Sequence, residues 1–114
     1  MPKLRKHLYE GMYILSATLS EDARKKAIEK ITSSIEDHAG EVHKTFEQGR
    51  KRLAYEIGGR REGYYYVIYY MVNSSSMPEL WNEYQLNEDL IRFMTLRVEE
   101  VPEKIEFKQL VTNE

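Results

Sequence analysis

The chain has 114 residues and no cysteine, which excludes disulfide frameworks, thiolate metal sites and cysteine nucleophiles. It also lacks an apolar run near the roughly 18 residues that a membrane helix requires. The opening Met1-Pro2-Lys3-Leu4-Arg5-Lys6-His7 is basic, and no apolar core follows it as one would in a secretory leader. A cytoplasmic protein is therefore expected. An excess of one charge is missing too. With 17 Lys and Arg against 19 Asp and Glu, bulk attraction alone does not hold this chain on nucleic acid. Neither nucleotide-binding glycine fingerprint occurs, since Gly58-Gly59 stands before a strand rather than a helix.

What remains is a soluble chain, 41% hydrophobic and 32% charged, of a size that forms one domain with one core. Its charge is unevenly placed. Residues 44–61 carry six basic side chains (Lys44, Arg50, Lys51, Arg52, Arg60, Arg61) against Glu47 and Glu56. Residues 79–114 carry four basic side chains against nine acidic ones. One part of the molecule suits phosphate while another repels it.

Hydrophobic periodicity sets out six elements. Leu8 to Leu15 reads as a strand with Tyr9, Gly11, Tyr13 and Leu15 on one face. Gly11 there makes room for a large ring on a neighbouring strand. Ser20 caps a helix whose first turn holds Glu21 and Asp22. Its stripe is Ala23, Ala27, Ile28, Ile31 and Ile35, and Gly40 stops it. Val42, Lys44 and Phe46 begin a second strand that can pair back toward the first. Gly49 permits a bulge in it, and Gly58 to Gly63 forms a basic turn into a third strand. Tyr64 to Met71 is apolar on both faces, as in a central strand. Ser76 with Glu79 has the spacing of a capping box. Leu80, Trp81 and Tyr84 line a short helix after it. Leu90 to Val98 alternates as a last strand, with Ile91, Phe93, Thr95 and Arg97 on one side. The order strand, helix, strand, strand, helix, strand predicts an α+β fold, the ferredoxin-like split β-α-β unit. It has a four-stranded antiparallel sheet with two helices on one face. The chain divides into a basic arm (1–6), this domain (7–98) and an acidic tail (99–114) expected to lack fixed structure when alone.

Catalytic machinery is thin. His38 and His43 flank Glu41, but no second ligand pair joins them, so solvated turn histidines are expected and no metal. Asn73-Ser74-Ser75 fits a glycan acceptor by chance alone. The run Gly49-Arg50-Lys51-Arg52-Leu53-Ala54-Tyr55 says more. Three adjacent cations repel one another, and phosphate oxygens relieve that repulsion. Protection of an edge strand against aggregation accounts for them equally well. Gly63-Tyr64-Tyr65-Tyr66-Val67-Ile68-Tyr69 resembles the third-strand signature of RNA-recognition-motif domains, whose rings stack on unpaired bases. Glu62 and Tyr65 depart from that signature. Alternatively Tyr64, Tyr66, Ile68 and Tyr70 are core, and Tyr65, Val67, Tyr69 and Met71 lie on the open face.

Three stretches resemble the bacterial small-subunit ribosomal protein S-six family over residues 7–98. They are Tyr9-Glu10, the run Gly49 to Tyr55, and Asn87-Glu88-Asp89-Leu90-Ile91-Arg92-Phe93-Met94. The resemblance implies a non-catalytic protein without cofactor that binds 16S ribosomal RNA in the platform, paired with small-subunit protein S-eighteen. It places Arg50, Lys51 and Arg52 on the family's basic strand and Arg92 on its last strand. Charge alone adds Lys3, Arg5, Lys6, Arg60 and Arg61 to the RNA-binding set. Tyr65, Val67 and Tyr69 on the open face are the expected partner contacts, and the isolated protein is expected to be a monomer.

Overall fold

Strand β1 (Lys6–Ser16) runs through the middle of the sheet. The computed structural model describes residues 6–57 and 59–103. After β1 come helix α1 (Glu21–Asp37), strand β2 (Glu41–Ile57) and strand β3 (Arg60–Asn73). A 3-10 turn (Ser74–Ser76), helix α2 (Met77–Gln85) and strand β4 (Leu90–Arg97) follow. The sheet is antiparallel in the order β2-β3-β1-β4, which is the split β-α-β topology expected from the element order. One expectation fails. β2 pairs only with β3, not with β1, and forms one edge of the sheet. The most apolar strand, β3, takes a central place because burial on both sides rewards a segment without polar alternation.

The helices cover one face. Ile31 and Ile35 of α1 and Leu80 and Tyr84 of α2 pack on Tyr9, Tyr13, Ile68, Tyr70 and Val72. Ser20 caps α1 as expected, its hydroxyl accepting from the Ala23 amide at 3.1 Å. At the other end Ala39, not Gly40, takes the left-handed turn with φ 62°. The Gly40 amide then closes the helix on the Ile35 carbonyl at 2.9 Å. Gly11 does make room for a ring, but the ring is Tyr13 of its own strand. A Cβ there would lie 2.5 Å from the Tyr13 hydroxyl. The capping box does not form, because the 3-10 turn puts Ser76 in helical backbone with no side-chain cap. Trp81 leaves the apolar stripe and is exposed, its Nε1 donating to Thr95 Oγ1 at 3.3 Å. In β4 a bulge shifts the register, so that Tyr13 faces Phe93 but Leu15 faces Leu90. Leu90 and Phe93 therefore share the helix side, and Ile91 joins the opposite face.

That opposite face has a cover of its own. The β2–β3 ladder breaks between Arg52 and Ile57, and the outer part of β2 bends over the sheet. Leu53 becomes buried against Ile14 and Tyr65, with Met12, Ile57 and Ile91 around them. At the other end the chain after β4 crosses the same face. The Val98 amide donates to the Leu8 carbonyl at 3.0 Å, and Lys44 Nζ donates to the Glu103 carbonyl at 2.8 Å. The first residues of the expected tail are thus a strap on the sheet; residues 104–114 lie outside the described part.

Burial of this many tyrosines sets an alkaline limit. Loss of water around the ring is the chief cause that raises Tyr13, Tyr70 and Tyr84, and that pushes Tyr65 up to about 12. Unfolded phenols ionise near pH ~10. Below that pH the contribution is fully present, and it is lost as pH rises through the folded values. The denaturant midpoint is expected to fall steeply above pH ~10; a midpoint level to pH ~12 would contradict these burials.

Candidate nucleic-acid interface

The three adjacent cations of β2 do not share a face. Arg50 stands opposite Tyr64, Lys51 opposite Gly63 and Arg52 opposite Glu62. Opposed residues of an antiparallel pair point the same way, and Tyr64 packs on the helix-side cluster around Leu15 and Ala27. Arg50 and Arg52 therefore project on the helix side and Lys51 on the other. Part of their repulsion is relieved from within. Arg50 Nε donates to Glu62 Oε1 at 2.6 Å, and Arg61 Nε to Glu56 Oε2 at 3.2 Å. Among the described residues Arg52 and Arg60 are exposed and have no carboxylate within ion-pairing distance. These two are the cations most open to an external anion. Arg60 and Arg61 belong to β3 itself rather than to a turn, the turn residue being Gly59 at φ 81°.

The bend of β2 gathers cations from both edges of the sheet. Arg92 of β4 donates from Nη1 to the Tyr55 hydroxyl at 2.7 Å, although β2 and β4 lie at opposite edges. Arg92 thus joins Arg50, Lys51, Arg52, Arg60 and Arg61 at one end of the molecule. Lys6 does not. It begins β1, ten residues from Ser16, which lies level with Gly63 and Lys51; at about 3.4 Å per residue the gap is about 34 Å. Its Nζ meets Glu41 Oε2 at 3.3 Å. Lys3 and Arg5 lie outside the described residues. One cation was missed by sequence reasoning: Arg24 of α1, whose guanidinium sits 3.8 Å from the centre of the Tyr64 ring. It extends the helix-side row of Arg50. Its place in the first turns of α1 was legible, but its docking on β3 was not.

The expected partner contacts need correction. Tyr65, Val67 and Tyr69 do lie on the side of the sheet away from the helices, but their exposures are 0%, 2% and 3%. Leu53 and Ile57 close over Tyr65. Phe46 packs edge-on against Tyr69, whose hydroxyl is held by Glu10. Rings covered in this way cannot stack on bases, which removes the basis of the RNA-recognition-motif resemblance. What the face offers is a rim: Met94 and Leu96 of β4 are exposed, opposite Met12 and Glu10. His38 lies in the turn after α1 as expected, but its side chain is not left to solvent, and His43 is an exposed residue of β2 rather than of a turn. His38 Nε2 lies 2.8 Å from Glu83 Oε2 and fastens α1 to α2, and that bond chiefly holds the Glu83 carboxyl below its usual range. Among the described residues no three His, Asp or Glu side chains are placed to share an ion.

Comparison with known proteins agrees with this architecture. The family model described as ribosomal protein S6 matches residues 8–97. The small ribosomal subunit protein bS6 of Protochlamydia amoebophila (strain UWE25) is 64% identical over 104 residues, covering 91% of each chain. That of Chlamydia pneumoniae is 56% identical over 110 residues, covering 96% of this chain and 98% of the relative. Among solved structures, the 30S ribosomal protein S6 of Thermotoga maritima superposes with a TM-score of 0.77 at 32% identity. It covers 82% of this chain and 89% of its own.

Proposed function

The chain belongs to the ribosomal protein S6 family of the small ribosomal subunit, and on that footing we propose that it binds 16S ribosomal RNA in the platform as a non-catalytic structural component. It acts in the cytoplasm as half of a pair with small-subunit protein S-eighteen. The observation that carries the reading is the end of the molecule where Arg50, Lys51, Arg52, Arg60, Arg61 and Arg92 meet, with Arg52 and Arg60 exposed and, among the described residues, outside ion-pairing distance of a carboxylate. Arginine forks there hold phosphate oxygens in pairs, and Lys51 acts as a point charge on the other face. Glu56 and Glu62 hold Arg61 and Arg50 in fixed geometry until a phosphate takes their place. The partner docks on the rim of the open face, where Met94 and Leu96 are exposed, while Tyr65, Val67 and Tyr69 stay buried beneath the cover of that face and support the rim from below. The isolated chain is a monomer.

The test is titration of the protein, with and without its partner, onto a platform fragment of 16S RNA at several salt concentrations. Each phosphate neutralised adds roughly 0.7–0.9 to the slope of log affinity against log salt. Changing Arg50, Lys51 and Arg52 together to Ala is expected to flatten the slope by roughly 2–3, while the circular dichroism spectrum stays unchanged. The partner is expected to tighten binding. An unaltered slope in the triple variant, or equal affinity with and without the partner, overturns the proposal.

A further inference from the structure

The end of the sheet farthest from Arg50, Lys51 and Arg52 holds a second set of nitrogen donors. Lys6 and His7 open β1, and Arg97 closes β4 beside them. Arg97 Nη2 lies 2.6 Å from His7 Nδ1. A guanidinium only donates, so Nδ1 is the acceptor and the ring proton sits on Nε2. Arg97 is exposed, and among the described residues it has no carboxylate partner. Its charge is steadied by a neutral imidazole, which aims the guanidinium without cancelling it. Lys6, His7 and Arg97 line one recess, backed by the apolar Leu8, Met71 and Val98 where the strap leaves β4. Among the described residues Glu99 is the one acidic side chain that lines it, and Glu41 pairs with Lys6 beside it at 3.3 Å.

We propose that Lys6, His7 and Arg97 form a second anion site, which takes a phosphodiester of the same RNA about 34 Å along β1 from the Arg50 end. The inference rests on the RNA-binding reading above and deepens it. Arg97 supplies a fork for two oxygens, Lys6 a point charge, and His7 is the positioning residue that orients the fork. A polyanion long enough to reach both ends of β1 is the ligand that uses both sites at once. The protein thereby spans two RNA segments, which a single basic strand cannot do.

The chain has no cysteine, so one introduced cysteine carries a tethered hydroxyl-radical source without ambiguity. Glu99→Cys and Arg60→Cys, each in complex with the partner protein and the platform RNA, are expected to cut two separate tracts. Cutting from Arg60→Cys with none from Glu99→Cys overturns the second site and leaves the first standing. No cutting from either, with no binding by the unmodified protein, overturns the RNA reading itself. As a second measurement, Arg97→Ala is expected to lower the salt slope by roughly 0.7–0.9 and Arg97→Lys to restore it. His7→Ala is expected to give an intermediate slope at unchanged thermal stability. A slope unmoved in Arg97→Ala counts against the site even if the fold is intact.

Discussion

Gly40→Ala is expected to cost about 3 kcal/mol of stability, whereas Ala39→Gly next to it is expected to gain about 1 kcal/mol. The two residues share one turn, and their backbones make opposite demands. A Cβ on Gly40 would lie 2.7 Å from Ile35 Cγ2, 2.8 Å from the Ile35 carbonyl and 2.9 Å from the Met71 carbonyl. Two of those atoms are backbone, one in α1 and one in β3, so neither can rotate away. Either the end of α1 opens or the start of β2 shifts off β3. Ala39 has the reverse problem. At φ 62° its Cβ crowds the following carbonyl, and glycine removes that strain. Chemical denaturation of the two variants decides the matter, and stability changes of the same sign would disprove this account of the helix end.

Tyr65→Ala is expected to lose about 3–5 kcal/mol, a drop in melting temperature on the order of 10–20 °C for a domain of this size. The reason is the second cluster on the face away from the helices. Tyr65 is fully buried there against Ile14 and Leu53, with Met12, Ile57 and Ile91 around it. Removing the ring leaves a void between the bent part of β2 and the sheet, and Leu53 loses its seat. The bend also carries Tyr55 to Arg92, so the loss reaches the end proposed to bind RNA. The variant is expected to bind the platform RNA more weakly even at temperatures where it stays folded. A melting temperature unchanged by Tyr65→Ala would mean that the face is open after all.

Local signals carried the elements. The Ser20 cap, the α1 stripe ending at Ile35 and the uninterrupted apolar run of β3 depend on neighbours within a few residues, and the structure follows them. The failed cap at Ser76 and the Tyr13 ring over Gly11 have local causes; the other differences come from neighbours distant in the chain. Gly40 looked like the left-handed stop because glycine favours that conformation, yet the crowding carbonyl belongs to Met71 of β3. Trp81 looked like core from its spacing, and only the position of β4 left it outside. Strand alternation places Tyr65, Val67 and Tyr69 on the correct face but does not reveal that the bend of β2 covers Tyr65 and that Phe46 covers Tyr69.

The amino-acid order by itself determined the sequence of strands and helices, the split β-α-β topology and the concentration of positive charge near residues 50–61. Each of these follows from side-chain period and local charge, properties that a chain carries before it folds. Only the tertiary structure decided which cations work together. It divided Arg50 and Lys51 between two faces, tied Arg50 to Glu62 and Arg61 to Glu56, and brought Arg92 from the far edge of the sheet to Tyr55. Strand register and the bend of β2 set those distances, and both depend on residues far apart in the chain.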